Sequence, residues 1–322
     1  MKIGLYLLIG LVFSLAAGLS IIESGFGFAA STSSNTLTAN VNVGNVVYVS
    51  IAPSSNTYAS NEVYPGSSYD TNVLFTDTDN GGNLAANVFV AGNGFSYLSN
   101  SIGVSNTMWS SATQGTFAGT TLTGSLADTG IVVPQPTLAS PSQSNSIYFG
   151  ISIPGGTPPG YYTQTLTFSN NNLVYGVNSL NTATASLTAN VQGVCYISLS
   201  STQLNFGSIF AAANVPTNNA ITDTDSNGNA AASVLVEGTN WYLNGNVLAA
   251  NFLVGNTLWN PTALGAYSGN TLTNSLVTTG ITIVAPTQTS NSQNAPIYFG
   301  LAVPGGTPAG AYGQTITIEN SC

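Results

Sequence analysis

The chain almost entirely lacks positive charge. Its 322 residues hold one lysine, Lys2, with no arginine and no histidine, and ten acids bring the formal net charge to −9. Ordinary domains are about a quarter charged; this one is 3% charged. Each absence excludes a class of function. Nucleic-acid binding needs Lys and Arg to displace counterions. Base catalysis near neutral pH draws on His or Lys, and Ser–His or Cys–His nucleophiles need an imidazole. Lys–Asn isopeptide staples need a lysine. The Asn-x-Ser/Thr acceptor is missing too: Asn260-Pro261-Thr262 is blocked by its proline and Asn320-Ser321-Cys322 is the cysteine variant, so ordinary N-glycosylation is not expected. The reading is of a protein that is not an enzyme, has no nucleic-acid partner and needs no cofactor, calcium aside.

A reason to shed bases is life in acid. Near pH 2 carboxylates are mostly neutral, and a normally charged chain of this size would carry roughly thirty or more uncompensated positive charges, which repel within a compact state. A chain without bases avoids that. The sequence thus suggests an exported protein of an acidophile, with Asn, Ser and Thr as the solubilising groups and a folding stability that hardly varies with pH. The alternative is a low-complexity cell-wall protein of a neutral organism.

What is present is a repeat. Over Ile147–Phe168 and Ile297–Ile318, 14 of 22 residues are identical, including Tyr148-Phe149-Gly150 and the Pro154-Gly155-Gly156-Thr157-Pro158 loop. The same 150-residue offset pairs Leu37–Val41 with Leu187–Val191, both reading LTANV, and Thr107-Met108-Trp109 with Thr257-Leu258-Trp259. A period of this size is a whole domain. The boundaries read as 35–172 for the first domain, 173–183 for a linker and 184–322 for the second.

No segment after residue 35 holds a 3.6-residue apolar period. Alternation dominates instead. Over Ser186–Ser200 the apolar Leu187, Ala189, Val191, Cys195, Ile197 and Leu199 share one parity and Thr188, Asn190, Gln192 and Ser198 the other, which reads as one half-buried strand. The Pro-Gly-Gly loops are turn chemistry, and Gly160-Tyr161-Tyr162 and Gly310-Ala311-Tyr312 resemble a tyrosine corner. The fold class is therefore all-β: two tandem immunoglobulin-like β-sandwich domains behind an N-terminal apolar signal or anchor helix.

Lys2, an apolar run from Ile3 to Ile22 and the small residues around Gly27-Phe28-Ala29 make an export signal with a cleavage site after Ala29. A cut near Ala17, retention as a membrane anchor and a pilin-type leader cut after Gly4 are the other readings. Contact with a membrane is expected through this segment only. Cys195 and Cys322 occur in the second copy and have Asn45 and Asn172 as counterparts in the first. Joint presence and inward phase read as a disulfide, which needs an oxidising compartment.

Two acidic clusters stand out. Asp223, Asp225 and Asn227 follow the first half of a calcium loop, and Asp77 and Asp79 follow it less well; the acid expected at loop position 12 is absent, since Val234 stands there. The competing reading is a turn between two paired strands. Trp109 and Trp259 recur between copies, which favours packing over sugar stacking, whereas Trp241 has no counterpart; Trp241 and Trp259 are the candidates for binding a glycan, and surface aromatics such as Tyr58, Tyr64 and Tyr69 for adhesion.

The Ile297-Tyr298-Phe299-Gly300 and Val303-Pro304-Gly305-Gly306-Thr307-Pro308 signatures, Cys195, and the Thr257-Leu258-Trp259 midpoint together resemble secreted immunoglobulin-like surface proteins of archaea, of acidophile type. More loosely they are similar to archaeal thread and bundling-pilus subunits. That resemblance implies a cell-surface location, self-association or other surface proteins as partners, and assembly by donation of an N-terminal strand, for which residues 30–40 are the candidate here. Thread subunits are heavily glycosylated and usually one-domain, in which this chain differs. The expectation is a structural or adhesive surface protein, the alternative a secreted glycan-binding module.

Overall fold

The computed structural model describes residues 38–58, 62–179, 181–247 and 251–322. The signal, anchor and Ala29 cleavage readings lie outside them. Among the described residues no helix is long and apolar enough to cross a membrane. Residues 1–44 form one unit, of which 38–44 are described as exposed and without regular structure; residues 45–322 form another, holding both sandwiches.

The first sandwich contains β1 (Ser50–Ala52), β2 (Ser55–Thr57), β3 (Ser68–Asn80), β4 (Ala86–Gly92), β5 (Phe95–Tyr97), β6 (Asn100–Ile102), β7 (Thr107–Ser110), β8 (Thr120–Thr121), β9 (Ala127–Val133), β10 (Ser142–Ser152), β11 (Gly160–Asn172), β12 (Val177–Asn178) and β13 (Ala183–Val191). One sheet runs β1-β3-β10-β7-β8 and the facing one β2-β13-β11-β4-β9. All pairings are antiparallel except β2 with β13, which is parallel. The second sandwich contains β14 (Ser198–Leu199), β15 (Asn214–Ser226), β16 (Ala232–Gly238), β17 (Trp241–Leu243), β18 (Asn251–Phe252), β19 (Thr257–Asn260), β20 (Asn270–Thr271), β21 (Val277–Ile283), β22 (Ser292–Ala302), β23 (Tyr312–Gly313) and β24 (Ile316–Ser321). Its sheets run β14-β15-β22-β19-β20, β21-β16-β24 and β18-β17-β23.

Alternation builds these strands. On β3, Thr71, Val73, Phe75, Asp77 and Asp79 are buried and their neighbours face outward. Phe75 and Phe168 bracket Phe149 with ring centroids 5.7 and 6.2 Å from it, both near perpendicular, so three strands from both sheets share one aromatic knot. The repeated Gly after Tyr-Phe is also explained. Gly150 sits at a bulge in β10 where the backbone of Thr71 packs against it, leaving no room for a Cβ, and Gly300 meets Thr217 in the same way. Each of these threonines, whose Oγ1 also lies against the glycine, donates its hydroxyl to a loop carbonyl, Ala118 or Ser268, at 2.7 Å.

Two sequence expectations change. The alternating run Ser186–Ser200 is not one strand. Its first part lies in β13, which pairs with β11 from Gly160↔Val191 to Phe168↔Ala183 and completes the first sandwich; its second part, beyond Gly193, opens the second. Residues 183–191 thus pair within the first sandwich, and the 173–183 segment contributes β12, paired on β11. A period of two continues across a joint because it records which face is buried, not which sheet receives the strand.

Candidate functional site

The two copies differ in one structural respect. In the first sandwich β11 has a neighbour on each edge, β4 and β13. In the second, β24 pairs with β16 on one edge, and no strand occupies the other among the described residues. The consequence shows along the inward face. Tyr162, Gln164, Leu166 and Phe168 are all fully buried. Their counterparts Tyr312, Gln314, Ile316 and Ile318 are half-buried. The core splits accordingly. The first sandwich has one continuous apolar cluster that includes Ala185, Leu187, Ala189 and Val191 of β13. The second has a main cluster around Phe299 and a separate one around Trp241, Phe252 and Leu301.

Where β13 would lie is a groove of about 950 Å³, lined by Leu204, Phe206, Trp241, Tyr312, Ile316 and Ile318 among others. Its far wall is 201–211, counterpart of the segment that supplies β2 in the first sandwich; here it holds no strand, and Phe210 is 87% exposed. Backbone polarity completes the site. Thr315 faces β16, accepting from Thr239 N–H and donating to its Oγ1. By the alternation of an antiparallel ladder, the N–H and C=O groups of Gln314 and Ile316 then point into the groove. An apolar trough edged by unpaired backbone groups has the chemistry of a strand acceptor.

Around this groove the two copies share their internal wiring. Tyr162 donates to the Pro158 carbonyl at 3.0 Å and Tyr312 to that of Pro308 at 3.1 Å, the tie the Gly-x-Tyr steps suggested. Thr107 donates to Gln164 at 3.2 Å, and Thr257 to Gln314 at 2.9 Å. Cys195 and Cys322 are bonded, Cα–Cα 6.1 Å. The bond ties the end of β24, a strand held on one edge, to the opening stretch of its sandwich.

The acids are not in a turn between paired strands. Asp77 and Asp79 on β3, and Asp223 and Asp225 on β15, point inward and are fully buried; β3 pairs with β10 and not with β4. Asp79 and Asp225 each accept from a following turn N–H, Gly82 at 3.0 Å and Gly228 at 3.2 Å, and from Tyr48 and Tyr196 N–H. Asp77 and Asp223 take the Nδ2 of Asn170 and Asn320, both at 3.4 Å. Asn227, the third member of the calcium pattern, instead turns to Asn291 and lies against Gly66 and Gly155 of the first sandwich. Among the described residues no three His, Cys, Asp or Glu side chains gather as a metal site.

With no cation to pair, burial pushes Asp77 up to about 7 and Asp223 to about 6, and raises Asp79 and Asp225. Asp77 Oδ2 and Asn170 Oδ1 both lack partners, as do Asp223 Oδ2 and Asn320 Oδ1. A protonated carboxyl carries the donor that the amide oxygen lacks. Burial thus favours the neutral form of these carboxyls, which makes them an expected source of pH-dependent stability. Asp77 and Asp79, like Asp223 and Asp225, share the buried parity of their strands, a signal that the polarity of the side chain hides.

The tryptophans are structural. Trp109, Trp241 and Trp259 are each under one-tenth exposed. Trp241 donates to Thr257 Oγ1 at 2.9 Å and stacks on Phe252 at 5.4 Å. Of the surface aromatics, Tyr58 is buried in the first core, Tyr69 accepts the Tyr64 N–H, and Tyr64 is exposed.

No protein-family model and no curated protein matches the sequence. Among solved structures the chain is similar to the CsuC–CsuE chaperone–tip adhesion subunit complex of Acinetobacter baumannii (13% identity, covering 85% of this chain and 100% of that one, TM-score 0.43). It is also similar to CfaE, the adhesive subunit of CFA/I fimbria of enterotoxigenic Escherichia coli (13%, 85% and 78%, TM-score 0.25). A family 123 glycoside hydrolase from Clostridium perfringens matches a smaller part (12%, 44% and 23%, TM-score 0.28).

Proposed function

We propose that this is a non-enzymatic structural or adhesive protein of the cell exterior, whose second sandwich accepts a β-strand from another polypeptide. One observation carries the reading. The inward face of the last long strand is sealed by β13 in the first sandwich and left open in the second. Burying a Leu- or Val-sized side chain stabilises by about 1.5–3 kcal/mol, so a strand presenting such residues to the groove, with its backbone added to the ladder, has both affinity and register. The disulfide supports an oxidising exterior, and the absence of bases supports a role without chemistry.

The test uses the protein's own completing strand. A peptide of residues 181–193, which spans β13, should bind the full chain by calorimetry and raise the melting temperature of the second sandwich. Absence of binding, together with amide exchange at Gln314 and Ile316 as slow as at Gln164 and Leu166, would overturn the reading.

A further inference from the structure

We infer that the protein polymerises head to tail, with the joint between copies repeating the joint between its own two sandwiches. Residues 33–41 of one copy fill the open position in the second sandwich of the next. The 304–308 loop of that sandwich closes on the turns at 80–83 and 137–140 of the donating copy. This rests on the acceptor reading above and names the partner.

Residues 33–41 read Ser-Ser-Asn-Thr-Leu-Thr-Ala-Asn-Val, and β13 reads Ala-Thr-Ala-Ser-Leu-Thr-Ala-Asn-Val. Leu187, Ala189 and Val191 are the inward residues of β13, and Leu37, Ala39 and Val41 repeat them; Asn35 replaces Ala185. Val41 is exposed in this structure, 88%. Shifting the observed β11–β13 register by one repeat sets the new pairs: Gly310↔Val41, Tyr312↔Ala39, Gln314↔Leu37, Thr315↔Thr36 and Ile316↔Asn35.

β13 completes the sandwich behind it and then leads, through Gln192 and Gly193, into Val194, whose N–H donates to Asn229 of the sandwich ahead. Residues 33–41 lead through 42–45 into Val46, whose N–H donates to Asn83. They stand before the first sandwich as β13 stands before the second. Insertion into the same molecule is out of reach. Ser67 bonds Ile153 at the joint end of the first sandwich, and Asn83 bonds Val46 at the other; β3 spans between these ends with 13 residues, about 40 Å. β15 has the same length, whereas the five steps from Val41 to Val46 cover at most about 18 Å.

In the first sandwich Gly156 and Thr157 are buried by the second. Gly156, at φ +70°, lies against the backbone of Thr287, where no Cβ fits. Thr157 accepts Asn229 Nδ2 on its carbonyl at 2.8 Å and Gln288 Nε2 on its hydroxyl at 3.1 Å. The identical Gly306-Thr307 has no such cover; Gly305, Gly306 and Pro308 are exposed. The opposing turns exist in the first sandwich. Thr137 and Ser140 exchange the same two hydrogen bonds as Thr287 and Ser290, Asn83 stands at the position of Asn229, and Leu138, wholly exposed here, at that of Gln288. The joint between copies is thus the more apolar version. A donor at one end and an acceptor at the other make a heterologous contact, which extends without closing.

The test is a covalent trap in the full chain. Thr165 turns its backbone toward β4, so its pair with Ser186 is a close, non-hydrogen-bonded one; Thr315 with Thr36 of the donating copy is the counterpart. The T36C/T315C variant should give a ladder of disulfide-linked multimers on a non-reducing gel, and T36C/T317C, one step out of register, should not. Leu37→Asp should abolish filaments by electron microscopy and leave a monomer that still binds the 181–193 peptide. A ladder equal in both double-cysteine variants, or filaments unaffected by Leu37→Asp, would overturn the head-to-tail inference while leaving the acceptor reading intact. Loss of peptide binding by a folded monomer would remove both.

Discussion

The two sandwiches run the same wiring with and without their last strand, and the difference separates what a strand does from what a sequence does. Gln164 and Gln314 make matching hydrogen bonds, yet one is fully buried and the other half-buried. The first sandwich is sealed by β13; the second is open along the same edge and carries a disulfide instead. Covalent linkage and strand addition solve one problem in two ways, holding a strand that would otherwise have a single neighbour. The largest expected effect follows. Cys195 and Cys322 are 127 residues apart, and a loop of that size contributes up to about 5 kcal/mol in the chain-entropy model. Replacing both by Ser should collapse the second sandwich in a urea titration and spare the first. Equal loss in both would mean that the sandwiches do not fold as separate units.

Next is the strand itself. Leu187→Ala should cost the first sandwich about 2–5 kcal/mol through the cavity it leaves. Leu37→Ala, the same change in the same five-residue motif, should leave the monomer's urea midpoint unmoved and weaken assembly only.

Much of this architecture is legible in the residues. The duplication, the alternation and the pairing of the two cysteines are all local or pairwise signals. The assignment of Leu187–Val191 to the preceding sandwich is not, because alternation continues smoothly from Val191 through Cys195 to Leu199 while the chain passes from one sheet to the next. Even so, Leu-Thr-Ala-Asn-Val occurs twice, once ahead of each sandwich, and the copy at Leu187–Val191 serves the domain behind it. The open groove could not be read from any single segment, since Ile316 and Ile318 are as apolar as the residues they correspond to. What differs is a neighbour that lies in another chain segment.

The buried acids sharpen the comparison in a graded way. Burial holds each raised carboxyl toward its neutral form in the fold, and it ionises more readily when unfolded, near pH 4. Its contribution is therefore fully present below about pH 4 and is lost as pH climbs through the folded value, about 7 for Asp77 and about 6 for Asp223. For Asp77 the loss is on the order of 3–4 kcal/mol. For Asp223, beside the open edge, solvent screening makes it smaller. The protein should melt higher at pH 4 than at pH 8, Asp77→Asn should flatten that dependence in the first sandwich, and filling the groove should steepen it in the second. A melting temperature that rises toward pH 8 would contradict the burial of these groups.

The smallest effect is the most discriminating. Tyr162 and Tyr312 make the same hydroxyl bond to the carbonyl of a proline four residues back, at 3.0 and 3.1 Å. One lies under β13 with its ring fully buried and the other at the mouth of the groove. A hydrogen bond is worth about 0.5–1.5 kcal/mol net when water is excluded and little when water replaces the partner. Tyr162→Phe should therefore cost the first sandwich about 1 kcal/mol, while Tyr312→Phe should be nearly silent in the monomer. With the 181–193 peptide or a second copy in the groove, Tyr312 becomes the equal of Tyr162, and the silent substitution should then cost about as much. If Tyr312→Phe stays silent when the groove is filled, the added strand does not seat as β13 does, and the likeness between the two joints ends there.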